Sequence, residues 1–364
     1  MQVVSMKVPE YIARLKPYVP GKPIEELERE YGISGSIKLA SNENPIGPSP
    51  KAVEAITKVL QDLHRYPDGN GYHLRERLAE KLEVSRSNVV LGNGSNEIIE
   101  LLVRTFLRRG DEVVMPAPSF LMYEIMVEAS GAKAVKIPLK DFTVDLAAMV
   151  ACVSENTRMV FVNNPNNPTG TIVSKDQWER FLEQIPLDVI VVMDEAYIEF
   201  VRDTTCPVGS HYLSGDRLVV TLRTFSKAHG LAGLRIGYGL MKPELADLMH
   251  RVRQPFNTNA LAQVGALAAL DDDAFFHETI QMVHEGLDFL YKKVDELGLE
   301  YIPTQTNFFL IDVQQDGKGL FEKMLRRGVI VRAMNAYGYP TFIRVTVGLP
   351  EENQRFIDVL KAVL

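Results

Sequence analysis

Lys227 lies in the stretch TLRTFSKAHGLAGLRIGYG, residues 221–239, with Thr224 and Ser226 just before it and Arg235 in the glycine-rich turn that follows. Taken alone, a lysine is a solvated surface charge. Here its neighbours offer the hydroxyl and guanidinium donors that hold a phosphate. Desolvation and a nearby cation lower an amine's pKa, and the neutral amine is then a nucleophile able to form a Schiff base. Three other clusters bear on this chemistry. Asp194, in VVMDEAY, ends an apolar run; a carboxylate there needs a partner, either backbone N–H groups at a helix start or a cation such as a protonated ring nitrogen. Tyr197 follows three residues later and can share its pocket. In NNPNNPTG (163–170) the asparagines and prolines satisfy turn chemistry by themselves, and Asn167 can also aim its amide at a ligand oxygen. GNGSNE (92–97) reads either as a turn with Ser95 capping a helix or as an anion cradle at a helix N-terminus. It lacks the G-K-[ST] ending of a P-loop.

Such residues must be held by something, and the sequence between residues 88 and 241 supplies it. NVVL, DEVVMPAP, AKAVKIPL, TRMVFVNN, DVIVVMDEAY, RLVVTL and LRIGYGLM read as strands. Between them lie helical stretches: NEIIELLVRTFLRRG carries apolar residues at helical spacing, SFLMYEIMVEASG ends at Gly131, and Ser174 with Gln177 forms a capping box before WERFLEQI. Near-continuous apolar strands alternating with helices predict an α/β fold with a mostly parallel sheet covered on both faces. Ligands of such sheets bind beyond the strand ends, where the polar clusters fall. From about residue 257 the pattern changes to long helices followed by mixed strands and helices. The expected division is a large domain over 41–256 and a smaller α+β domain from 257–364, completed by residues 1–40.

The chain has 364 residues and a net charge of −7, which argues against nucleic acid or an anionic membrane as the main partner. No apolar run approaches a membrane span in length, and the first residues lack the apolar core of a signal peptide. Cys152 and Cys206 form no C-x-x-C pair, so neither a zinc site nor a redox pair is expected, and two isolated thiols suit a cytoplasmic protein.

The motifs NNPNNPTG, VVMDEAY and SKAHGLAGLRIG, in that order, resemble the fold type I pyridoxal-phosphate aminotransferases. Within that superfamily KLASNENPIGPSP, RYPDGNGYHLRERLAEKL, GNGSNEIIELLVRTF and GVIVRAMNAYGYPTFIRVTVGLPEEN are similar to the histidinol-phosphate aminotransferase family. The resemblance implies pyridoxal 5′-phosphate as cofactor, an internal aldimine on Lys227, and Asp194 on the pyridine nitrogen. It places Asn167 and Tyr197 on the phenolic oxygen and Phe120 on the ring face, and gives the phosphate to Ser95, Asn96, Thr224, Ser226 and Arg235. Tyr66 is implied to reach the cofactor of a second subunit, making the active unit a homodimer. Arg344 and Arg332 become anchors for glutamate or 2-oxoglutarate and for imidazole-acetol phosphate or histidinol phosphate, with Tyr18 and Asn42 as further substrate contacts. Ala333 stands where relatives often carry proline. His229 reads as a packing residue. An aromatic or broad-specificity aminotransferase, a threonine-phosphate decarboxylase and a non-catalytic pyridoxal-phosphate-binding regulator remain open on the sequence; such regulators usually carry a DNA-binding domain ahead of this fold, and this chain has only about 40 residues there.

Overall fold

The structure is a computed structural model that describes residues 7–18 and 21–364. After a short strand β1 (Ile37–Lys38), seven strands build one sheet: β2 (Val89–Gly92), β3 (Glu112–Ala117), β4 (Lys133–Pro138), β5 (Thr157–Asn163), β6 (Ile190–Asp194), β7 (Leu218–Thr224) and β8 (Gly237–Leu240). Their spatial order is β2-β8-β7-β6-β5-β3-β4. Pairs from β4 through β7 are parallel, whereas β8 runs antiparallel to both β7 and β2. Alternation along the central strands feeds two cores. Met159, Phe161, Ile190 and Val192 pack on one face, and Val160, Val162, Val191 and Met193 on the other. Burying each such side chain stabilises the fold by roughly 1.5–3 kcal/mol, which is why these strands read as unbroken apolar runs.

Helices cover both faces. The capping box at Ser174 is present, with Ser174 accepting from the Gln177 N–H and opening the helix Lys175–Gln184. At GNGSNE the N-cap position is Gly94, not Ser95; Ser95 is the first residue of the helix Ser95–Phe106, and no side chain caps it. That leaves the first N–H groups of this helix open toward the strand ends.

The helix Ala260–Leu270 packs its Ala262, Ala266 and Ala269 with Leu74, Phe225 and Tyr238, alongside the large sheet. The helix Asp273–Glu296 then leads into a second sheet. Its strands are β9 (Glu300–Ile302) and β10 (Phe308–Asp312), and, after β11 (Val329–Ile330), β12 (Arg332–Ala333) and β13 (Phe342–Thr346), in the order β12-β13-β10-β9. β1 pairs in parallel with β11 as a separate two-stranded sheet, tying the segment before residue 41 to the C-terminal part of the chain. In the register of β12 and β13, Arg332 lies directly opposite Arg344.

Candidate active site

The parallel strands β5, β6 and β7 end at Asn163, Asp194 and Thr224, and all three side chains line one cavity of about 330 Å3. Ser95, Asn96, Phe120, Asn167, Tyr197, Ser226, Lys227 and Arg235 line it too. Ten residues named from separate stretches of sequence, all of these but Asn163, thus share a single wall.

At one end sit the donors. The open helix start brings Ser95 and Asn96, the end of β7 brings Thr224 and Ser226, and Arg235 closes the group. Gly94 suits the turn there because its φ of +81° strains any other residue, and a Cβ would also press on the Arg235 guanidinium. Arg235 spends one N–H on the Ala232 carbonyl at 3.2 Å. The Asn96 Oδ1 is buried with no hydrogen-bond partner. Within this group the Ser226 N–H donates to Thr224 Oγ1 at 3.1 Å.

In the middle, Asp194 is 3% exposed. Its Oδ2 accepts from the Tyr123 hydroxyl at 2.5 Å and its Oδ1 from the Ala196 N–H at 3.1 Å. Burial nevertheless pushes its pKa up to about 6, because two neutral donors do not replace the cation that a desolvated carboxylate lacks. Lys227 shows the opposite response: burial, reinforced by Arg344, holds its amine down to about 8. Its Nζ donates to the Ser41 carbonyl at 3.3 Å and lies 5.7 Å from the centre of the Tyr197 ring. The turn that presents Lys227 is fixed by Gly230, whose positive φ is combined with a contact that a Cβ would block, the Gly47 carbonyl.

The far end is interlocked. Asn42 donates to the Tyr197 hydroxyl at 2.9 Å, and Asn167 does so at 3.4 Å. Arg344 donates to Asn167 Oδ1 at 2.6 Å and to the Ala40 carbonyl at 2.8 Å, and its guanidinium covers Phe308 at 4.9 Å. Its Nε is buried and unpartnered. Burial pushes the Tyr197 phenol up to about 12, with Arg344 opposing.

Other residues expected at the site lie elsewhere. Asn42 is 2% exposed, is further held by Thr346 and Asn307, and reaches the cavity through Tyr197. Tyr18 is half-exposed, close enough for its phenol to act on the Arg344 charge. Tyr66 is 82% exposed and stacks on Phe256 with ring centres 4.7 Å apart, outside the cavity of its own chain. His229 sits between Phe225 and Phe276. Tyr123, Ser41, Glu43 and Asn163 were not anticipated. Tyr123 had a signal: it lies three residues after Phe120 in a helical stretch, which puts both on one face. Glu43, which lines the cavity and pairs with Lys38 at 3.0 Å, offered none apart from lying beside Asn42. No helix among the described residues is long and apolar enough to cross a membrane.

A lysine with a lowered pKa, a raised aspartate at a strand end and an anion cradle at an uncapped helix start, set on a mostly parallel sheet, match a known class. The chain belongs to the class I and II aminotransferases, whose family model matches residues 34–360. Within it, the chain is 51% identical over 360 residues to the histidinol-phosphate aminotransferase of Desulfotalea psychrophila, covering 98% of this chain and 95% of that protein. It is 48% identical over 359 residues to the protein of the same name from Moorella thermoacetica, covering 98% and 93%. Among solved structures, the histidinol-phosphate aminotransferase of Sinorhizobium meliloti in complex with pyridoxal 5′-phosphate superposes with a TM-score of 0.91 at 27% identity, over 98% of both chains.

Proposed function

We propose that this chain transfers the amino group between histidinol phosphate and 2-oxoglutarate, yielding imidazole-acetol phosphate and glutamate, with pyridoxal 5′-phosphate as cofactor. The observation that carries the substrate is the arginine pair: Arg344 is buried beside Lys227 with an unpartnered Nε, and Arg332 faces it across the sheet. Both amino-group carriers are anionic, so one arginine-lined end can take each in turn.

The cavity fits the cofactor. The uncapped helix start at Ser95 and the Arg235 guanidinium offer donors to a phosphate, and the Asp194 carboxylate is raised for want of a cation. Ser95, Asn96, Thr224, Ser226 and Arg235 would hold the phosphate, Asp194 the ring nitrogen, Asn167 and Tyr197 the phenolic oxygen, and Phe120 the ring face. Once bound, the cofactor supplies an electron sink for the charge that develops at the substrate carbon. The protein's own groups do the rest. Lys227, held near 8, has a neutral amine available close to physiological pH; it serves as the nucleophile and then as the base that takes the proton from the substrate Cα. Tyr123 and the Ala196 N–H keep the Asp194 carboxylate aimed. Arg344, through Asn167, links the substrate end to Tyr197.

We further infer a homodimer in which Tyr66, exposed and propped on Phe256, reaches the partner's cofactor phosphate. Tyr18 and Asn42 act at the substrate end, Asn42 by way of Tyr197. The free cysteines Cys152 and Cys206 fit a cytoplasmic location. The packing of the helix Ala260–Leu270 favours a domain division near Asp272 over one near residue 256.

With 2-oxoglutarate as acceptor, kcat/KM for histidinol phosphate is expected to exceed that for phenylalanine by on the order of 10²-fold. Equal or inverted values would reassign the chain as an aromatic aminotransferase, and carbon dioxide released from threonine phosphate would reassign it as a decarboxylase.

A further inference from the structure

The wall that carries Lys227 has a second side. Along β7, Thr224 faces the cavity described above, whereas Arg223 lines another, of about 230 Å3. Tyr238 on β8, Glu199 just beyond Tyr197, and His229, two residues after Lys227, line it with Arg223. Leu270, Phe276 and Ala269 complete its apolar sides, and Lys81, Asp273 and His277 lie at the rim. None of these residues has a part in the transamination chemistry.

The ionisable groups are unevenly matched. Arg223 is committed to the fully buried Glu195, 2.9 Å away. Lys81 reaches the Leu270 carbonyl at 2.7 Å and Asp273 at 3.3 Å. Glu199 makes no ion pair among the described residues, and its burial pushes its carboxyl up to about 7 although Arg223 opposes this. His229 is held down to about 4 by burial and is therefore neutral near physiological pH; its Nδ1 is buried with no hydrogen-bond partner. Its ring lies between those of Phe225 and Phe276, with centres 5.0 and 5.4 Å away. The space thus combines a carboxylate lacking its own cation with flat aromatic surface, the two features that select a flat cation over an anion or a neutral molecule.

We propose that this cavity is an effector site for a small, flat monocation of the amidine or protonated-heterocycle class, held by Glu199 against Phe276 and His229. Residues 223–229 form the wall shared with the catalytic cavity, so occupancy from behind displaces the turn that presents Lys227.

The test uses the holoenzyme and benzamidinium, a flat cation at neutral pH that resembles neither proposed substrate. Calorimetry is expected to show saturable binding that an excess of 2-oxoglutarate does not displace, while uncharged benzamide binds roughly tenfold or more weakly. Benzamidinium should lower kcat without raising KM for 2-oxoglutarate. Glu199→Gln is expected to weaken benzamidinium binding by roughly tenfold or more. Ala269→Met, which fills the space from the opposite wall and leaves the carboxylate intact, should abolish it. Displacement by 2-oxoglutarate, equal affinity for benzamide, unchanged binding in both variants, or unchanged turnover at saturation would each overturn the proposal.

Discussion

The two ends of the catalytic cavity are built in opposite ways. At the phosphate end, Ser95, Asn96, Thr224, Ser226 and Arg235 converge, joined to one another only by the Ser226 N–H donating to Thr224 Oγ1, while Arg235 donates to the Ala232 carbonyl. At the substrate end, Asn42, Tyr197, Asn167 and Arg344 are joined in one chain of hydrogen bonds of 2.9, 3.4 and 2.6 Å. An assembly of open donors gives affinity when an anion arrives. A closed network fixes orientation and sets the electrostatics felt by its neighbours, Lys227 among them. Loss of a group at the first end should therefore appear as weaker cofactor binding, and loss at the second as altered catalysis and substrate affinity.

The largest contrast comes from the residue between the two ends. Asp194→Asn retains an acceptor for Tyr123 but removes the charge, and kcat is expected to fall on the order of 10²-fold or more, as when one preorganised electrostatic partner is lost; a variant with near-normal kcat would show that the charge is not used. Next, Arg235→Ala and Arg344→Ala should separate. Arg235→Ala is expected to weaken cofactor binding roughly 10- to 100-fold while kcat at saturating cofactor is largely retained. Arg344→Ala should raise KM for 2-oxoglutarate by a similar factor, leaving cofactor affinity nearly unchanged. Equilibrium dialysis and steady-state kinetics distinguish them, and identical profiles would erase the distinction between the ends.

The third expectation concerns pH. The Lys227 amine is lowered from 10.5 to about 8, so its neutral form grows as pH rises through 8 rather than through 10.5. Reductive trapping of the cofactor-free protein by a small aldehyde, read at Lys227 by mass spectrometry, should follow that midpoint. Arg344→Ala removes a neighbouring cation and should move the midpoint upward; a downward shift would mean that the two charges are not coupled as the geometry implies. The smallest effect belongs to Tyr123→Phe. The hydroxyl holds the Asp194 pKa down, so its loss should raise that pKa further and reduce kcat only severalfold, in line with a hydrogen bond worth about 1 kcal/mol.

Much of the phosphate end was legible in the sequence because each of its groups sits at a strand or helix end, where a local pattern marks it: Thr224 after an apolar run, Ser95 after two glycines, Lys227 within a turn. The central strands were legible for the same reason. The direction of β8 was not, since an apolar run carries no sign of parallel or antiparallel pairing. The closed network was also hidden. Asn42 finds Tyr197 across 155 positions, and Arg344 finds Asn167 across 177, and no spacing rule reaches that far. The turn-rich loop named Asn167 and the family resemblance named Arg344; only the fold shows that they hold one another.

All of this rests on Lys227 being the residue that engages the cofactor. Borohydride reduction of the yellow holoenzyme, followed by digestion and mass spectrometry, should place the cofactor-derived mass on the peptide containing Lys227. Label on any other lysine, or a Lys227→Ala protein that turns over at the unaltered rate, would contradict the account.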